Sequence, residues 1–322
     1  MITKQVRTIG TTDIIQAGVS PANCIRWVEE SFRTKYESQL PAKVSVHPQD
    51  DDFFTSMPAL LPRRYGRFGI KVVSRIAGDA PALKSDIMLY SSESGQLLAV
   101  FDGDWITAMR TGAVAALSIR LLKGSGADTC SIVGLGNTAR AVALCLLSES
   151  KGETVRFRLL RYKDQAGQFI ERFKDYPNAE FEVIDTKEKF FGEASVIVSC
   201  VTSAKDQLLC PDDSLFQEGV LLVPVHTRGF QNCDLFFDKV FGDDTAHIQG
   251  FRNFSRFRCY DELSQVLLGY NPGRENDRER IISYNVGLGL HDVLFASKLY
   301  DLLPPSVGGC FTQERESDKF WM

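Results

Sequence analysis

Residues 129–147 constrain the chain more than any other stretch. A short apolar run, 129–133, leads into Gly134-Leu135-Gly136-Asn137-Thr138-Ala139, and an apolar helical pattern covers 137–147. Strand, Gly-x-Gly-x-x-Ala and helix make physical sense together. The first glycine permits a tight turn, and the second lets backbone N–H groups approach a pyrophosphate. The small final residue lets helix pack closely on strand. The helix N-terminus adds positive potential. Gly134, Gly136, Asn137, Thr138 and Ala139 are therefore candidate dinucleotide contacts. The bland alternative is an ordinary tight turn between strand and helix.

Beyond this loop the chain keeps the same rhythm. Strands are expected at 155–160, 181–184, 195–201, 220–225 and 239–241, with a helix at 165–173. Strands alternating with helices predict a parallel sheet with right-handed crossovers. Before the loop the texture differs. A helix is expected from Pro21 to about residue 36, within a mixed helical pattern over the first forty residues. Between 44 and 100 short apolar stretches alternate with Gly and Pro, and Ser94-Gly95 reads as a hairpin turn, so this region is expected to be antiparallel sheet. Apolar residues at three- and four-residue steps make 105–122 a helix. A last long helix is expected over 278–302. It contains Gly287 and Gly289, each costing about 1 kcal/mol against Ala, which implies a close approach to the backbone there. The fold class is α/β: a Rossmann doubly wound sheet, preceded by an α+β region.

The second strand of a dinucleotide fold reports on the cofactor. NAD-selective sites carry an acid about 20 residues after the glycines, to bind the ribose hydroxyls. Here that place holds Arg158-Leu159-Leu160-Arg161-Tyr162-Lys163, with no acid until Asp164. Arg161 and Lys163 suit a 2′-phosphate, so NADP(H) is favoured; NAD(H) stays open if both are solvated surface charges. Val201, Thr202, Val225 and Gly287 are the remaining expected cofactor contacts.

Composition removes other classes. Lys+Arg total 37 and Asp+Glu 41, a net charge of −4. Such a chain has no global field for nucleic acid or an anionic membrane. The longest apolar runs fall far short of the ~20 residues that span a bilayer. The eight cysteines show no Cys-x-x-Cys pair, and the four histidines show no ligand spacing, so no metal is expected. A reduced, cytoplasmic protein is the expectation.

A family resemblance rests on Leu97-Leu98-Ala99-Val100-Phe101-Asp102-Gly103-Asp104-Trp105-Ile106-Thr107-Ala108-Met109-Arg110-Thr111-Gly112-Ala113. This stretch resembles the "lAlmdG..iTa.RTaA" pattern of the ornithine cyclodeaminase/μ-crystallin family. Met57-Pro58-Ala59, Gly69-Ile70-Lys71-Val72 and Gly287-Leu288-Gly289-Leu290-His291-Asp292 are similar to further family motifs, in the right order. The resemblance covers roughly residues 40–302. It implies a homodimer of two-domain chains: a discontinuous α+β substrate-binding and dimerisation domain, 1–115 with 288–322, and one Rossmann dinucleotide-binding domain, 116–287. It also implies hydride transfer at the carbon bearing an amino acid's nitrogen, on a small amino-acid-like or imine substrate. The alternatives within its reach are ornithine-type cyclodeamination with recycled NAD, and non-catalytic binding of NADPH or a small ligand.

Carried over by position, Lys71 and Arg110 resemble the family's substrate-carboxylate ligands, and Lys43 stands where relatives carry an Arg. A carboxylate needs a fixed cationic fork: Arg offers parallel donors and Lys a point charge. Arg228 stands where many members carry a proton-shuttling aspartate, and an Arg cannot take that proton at neutral pH. Two readings stay open. Arg228 binds a second substrate carboxylate while His226 moves protons, or the loop is remade and catalysis is weak or absent. The segment 308–322 lies beyond the resemblance and is expected to pack on a partner subunit or to be mobile.

Overall fold

A computed structural model describes residues 2–49, 52–79, 81–201, 209–210, 212–226 and 229–316. In chain order the strands are β1 (Ile2–Ile9), β2 (Val44–Val46), β3 (Phe53–Leu60), β4 (Arg67–Arg75), β5 (Leu83–Ser91), β6 (Leu97–Asp102), β7 (Thr129–Val133), β8 (Val155–Leu160), β9 (Ala179–Ile184), β10 (Val196–Ser199), β11 (Leu221–Pro224), β12 (Lys239–Gly242), β13 (Tyr260–Glu262), β14 (Ile281–Tyr284) and β15 (Gly309–Arg315). The helices are α1 (Thr11–Gln16), α2 (Pro21–Arg33), α3 (Asp104–Leu122), α4 (Asn137–Glu149), α5 (Gln165–Glu171), α6 (Lys187–Gly192), α7 (Thr245–Ile248), α8 (Leu263–Leu267) and α9 (Gly289–Leu302).

The chain divides into two units. The first comprises Met1–Ser20, Thr34–Thr107 and Leu288–Met322; the second comprises Pro21–Arg33 and Ala108–Gly287. The boundaries differ from the sequence expectation in two places. Helix α2 belongs to the second unit, because its buried face of Cys24, Ile25, Val28 and Phe32 packs with α4 and α8. Most of α3 belongs there too, because Gly112 touches α4: a Cβ on Gly112 would lie 2.5 Å from the backbone of Ala141.

The second unit holds an eight-stranded sheet in the order β13-β12-β14-β11-β10-β7-β8-β9. Every pairing in it is parallel. From β7 the chain runs outward to β8 and β9 on one side and returns to begin the other side with β10 and β11, so the topological switch falls between β7 and β10. In open α/β sheets the ligand crevice lies at that reversal, outside the carboxyl ends of the strands. The central strands β10, β11 and β14 are buried throughout and read as short apolar runs. An aromatic cluster of Phe190, Phe191, Phe216, Phe230 and Phe237 fills the core. All eight cysteines are free thiols. Burial pushes Cys24 and Cys130 up to about 12, so they act as small apolar side chains.

The expected long helix over 278–302 is a correction. Residues 281–284 form β14, paired with β11 and β12 and buried throughout; only from Gly289 is the chain helical. A four-residue run buried on both faces has no period by which to tell strand from helix. The inference of a close backbone approach at the two glycines holds. A Cβ on Gly289 would lie 2.6 Å from the carbonyl oxygen of Met57.

The first unit holds a seven-stranded sheet in the order β15-β1-β6-β5-β4-β3-β2. The expected antiparallel region is present as β2 to β6, with Gly95 at φ +69° in the hairpin turn. Strand β1 corrects the helical reading of the first residues. Within 3–9 only Val6 and Ile9 are buried, too few to reveal an alternation, and its partner β15 lies at the other end of the chain. The same pairing accounts for the described part of the segment 308–322: it completes this sheet. Helix α9 packs across β3, β4 and β5. Arg7 ties its last turn to the segment after it, donating to the oxygens of Tyr300, Leu303, Pro304 and Val307 at 2.8–3.3 Å. Arg7→Ala should remove these charge-assisted bonds at a cost of about 2 kcal/mol. That lowers the melting temperature by several degrees, read by calorimetry; an unchanged transition would mean that water satisfies these carbonyls equally well.

Candidate active site

The phosphate loop begins where β7 ends. Gly134 has φ +83°, and a Cβ there would lie 2.7 Å from the carbonyl carbon of Cys200 and from the nitrogen of Val201. The Cys200 N–H donates to the Val133 carbonyl at 2.7 Å. The first glycine thus lets the ends of β7 and β10 touch at the switch point. Gly136 differs. It is the N-cap of α4, in extended conformation, and a Cβ there would meet nothing within 4 Å. The open space over a bare helix N-terminus, with no acid in the first turn, suits a pyrophosphate. Asn137 is exposed and Thr138 half-buried, while Ala139 is fully buried between helix and sheet. The residues present therefore fit a dinucleotide.

Beyond β8, Arg161 is tied by its backbone N–H to the Ile184 carbonyl at 2.9 Å and pairs through its side chain with Asp185. Lys163 has φ +49°, and its Nζ lies 5.3 Å from the ring centre of exposed Tyr162. The strand tip therefore presents two cations and an aromatic face to solvent. Tyr162 was no candidate in the sequence; its place between the two cations was the available signal.

Beyond β10 and β11 the backbone is closely knit. The Val225 N–H donates to the Ser199 carbonyl at 3.0 Å, and the Asn285 N–H to the Pro224 carbonyl at 2.9 Å. Val201 is half-buried at the end of β10. His226 Nε2 and the buried Ser199 Oγ share a hydrogen bond of 2.7 Å, and the imidazole stacks on Phe230 at 6.1 Å. Ser199 thus holds the ring that the sequence singled out. Thr202 and Arg228 lie outside the described residues.

Arg110 projects from α3 and is buried. Its guanidinium lies against Gly287, where a Cβ would come 2.8 Å from Nη1. Gly287 has φ +84°, and its N–H donates to the fully buried Asp243 at 2.8 Å. Two glycines thus place this cation. Gly112 seats α3 on the phosphate-loop helix, and Gly287 offers a bare backbone to the guanidinium. Gly287, an expected cofactor contact, thus lies against the Arg110 guanidinium. In the first unit Lys71 sits on β4, fully buried, its Nζ 2.8 Å from Asp292 on α9. Lys43 is half-buried just before β2.

A sequence model of the ornithine cyclodeaminase/mu-crystallin family matches residues 6–304. The chain belongs to this family. The ketimine reductase mu-crystallin of Mus musculus is 31% identical over 243 residues, 69% of this chain and 70% of that protein. A Delta(1)-pyrroline-2-carboxylate reductase of Bacillus cereus is 26% identical over 253 residues, 72% of this chain and 76% of that protein. The fold is similar to that of Delta(1)-pyrroline-2-carboxylate reductase from Thermococcus litoralis in complex with NADH and L-proline. The TM-score is 0.81 at 20% identity, covering 92% of this chain and 97% of that one.

In this member of the ornithine cyclodeaminase/mu-crystallin family, three partners of expected site residues went unassigned in the sequence: Ser199, Asp243 and Asp292. Asp292 had a signal, since it closes the motif that starts at Gly287. Ser199 and Asp243 had none, because their contacts join different strands and loops. Among the described residues no group of three or more His, Cys, Asp or Glu is placed to hold a metal ion. No described helix is long and apolar enough to cross a membrane.

Proposed function

We propose that this protein is an NAD(P)-dependent oxidoreductase acting on the C–N bond of an amino-acid-derived substrate, reducing an imine or ketimine that carries a carboxylate. One observation carries the reading furthest: a buried guanidinium, Arg110, is locked through Gly112 onto the helix that begins at the phosphate loop. An anion ligand held rigidly to the cofactor helix suits a carboxylate substrate beside a nicotinamide. The mouse ketimine reductase and the Bacillus Delta(1)-pyrroline-2-carboxylate reductase, as relatives, agree with it.

A bound nicotinamide would supply or accept the hydride. The chain's own residues do the rest. N–H groups of the Gly134–Ala139 loop hold the pyrophosphate, and Arg161 with Lys163 holds a ribose 2′-phosphate. Val201, Thr202, Val225 and Gly287 are the further cofactor contacts. Lys71 and Arg110, with Lys43, bind the substrate carboxylate; Arg228 binds a second one on a diacidic substrate. Imine reduction consumes one proton at nitrogen, and His226, its ring held by Ser199, delivers it. The active form in this reading is a cytoplasmic homodimer.

The test is turnover of Delta(1)-pyrroline-2-carboxylate and of open-chain imino acids, followed by loss of reduced cofactor. Stoichiometric consumption supports the reading. Release of ammonia from ornithine without net redox would replace it by cyclodeamination. Cofactor binding without turnover on any of these would leave a binding protein. Cofactor choice has its own test. NADPH should bind more tightly than NADH, and Arg161→Ala should weaken NADPH by about tenfold while leaving NADH unchanged. The exposed pair with Asp185 is weak enough to yield to a phosphate. Tighter NADH binding would overturn the NADP(H) preference.

A further inference from the structure

Two fully buried charges face each other in the first unit: the Lys71 ammonium on β4 and the Asp292 carboxylate on the first turn of α9, 2.8 Å apart. A fold that needed only packing here would be served as well or better by two apolar side chains, because desolvating both ions opposes their attraction. The surroundings are apolar. In register with Lys71 stand Met57 on β3 and Ile87 on β5. Strand β3 carries no ionisable residue. On β5 Lys84 and Asp86 point to the opposite face by strand alternation, and Tyr90 lies beyond a register shift. Arg67 and Arg75 lie at the two ends of β4, engaged by Asp301 and Asp52. His291, also fully buried, is the neighbouring titratable group on α9. Asp292 is thus the anion that faces Lys71.

The pair is also held rigidly. Gly289 seats the start of α9 on the Met57 backbone, and Val293 fits against Gly69, where a Cβ would come 2.8 Å from it. Lys71, Gly69, Met57 and Asp292 therefore form one block, in which the motifs around Met57, Gly69 and Gly287 meet.

We infer that Asp292 is a positioning residue: it keeps the Lys71 ammonium charged in a dry site and aims it for a substrate carboxylate. The inference rests on the carboxylate-binding role proposed for Lys71. Burial alone disfavours an ammonium, and a carboxylate in contact restores it. Asp292→Asn keeps the shape and removes the charge, so Lys71 should lose its proton at a lower pH.

The experiment uses the full-length protein with bound NAD(P)H. For Asp292→Asn, kcat/KM on Delta(1)-pyrroline-2-carboxylate should fall at least about tenfold. KM for the imine should rise at least tenfold, with cofactor affinity within twofold of wild type. The double variant Lys71→Met, Asp292→Leu should melt no lower than wild type and should not use the imine. A KM for the imine unchanged in Asp292→Asn would overturn the inference, and so would a double variant that melts well below wild type, since the pair would then be structural. A substrate-free readout separates this inference from the functional reading. The Lys71 Nζ resonance, assigned by its loss in Lys71→Met, should titrate lower in Asp292→Asn. If the wild type reduces no imino acid but this shift occurs, the proposed activity falls and Asp292 still governs the Lys71 charge. If the resonance does not move, Asp292 has no such role.

Discussion

Arg110→Ala should lower kcat/KM for an imino acid by about three orders of magnitude and leave NAD(P)H binding within a few-fold. Removing one partner of a buried, hydrogen-bonded charge pair costs about 2–5 kcal/mol, which is between about thirtyfold and several thousandfold in rate. The upper part of that range applies because Arg110 is buried and rigidly seated, so neither water nor a neighbouring side chain substitutes for it. The helix itself should tolerate the change, since Ala is the better helix former. The contacts that join α3 to α4 run through Gly112 and remain. The measurement is steady-state kinetics beside a cofactor titration and a melting curve on the same preparation. Parallel loss of cofactor affinity and stability would assign Arg110 to the structure rather than to substrate.

Gly134→Ala should abolish measurable dinucleotide binding and lower the melting temperature by several degrees, whereas Gly136→Ala should weaken binding with little change in stability. Two effects act together at Gly134. A Cβ at φ +83° costs about 1–2 kcal/mol, and its nearest neighbours, 2.7 Å away, are backbone atoms of Cys200 and Val201. Backbone has no rotamer by which to step aside, so β7 and β10 must separate or the loop must be rebuilt. Either outcome disturbs the site at the point where the strand order reverses. At Gly136 an added methyl meets open space, so folding should be spared. The cost appears only when a pyrophosphate needs that space. Fluorescence titration with NADPH and thermal melts of both variants check the contrast. Equal behaviour of the two would show that the loop does not cradle a cofactor.

The alternation after residue 129 was readable because each strand of a parallel sheet is a short apolar run and each crossover a separate helix. The glycine loop was readable because only glycine serves where strand ends touch or a helix terminus must stay bare. The Arg110 segment stood out as a charge among small apolar residues on a helix. Elsewhere local pattern misled. Residues 281–284 belong to a strand because β11 and β12 flank them on either side, and no local period records that. Strand β1 is not legible locally because its pattern is weak and its antiparallel partner, β15, comes at the other end of the chain.

By itself, then, the sequence determined the parallel sheet, the phosphate loop and the cations suited to anionic ligands, because each depends on residues close together in the chain. Only the tertiary structure decided which anion faces Lys71, which backbone carries Arg110 and which hydroxyl holds His226. These are contacts between elements far apart in sequence, made where burial removes water and each charge or polar group needs a partner.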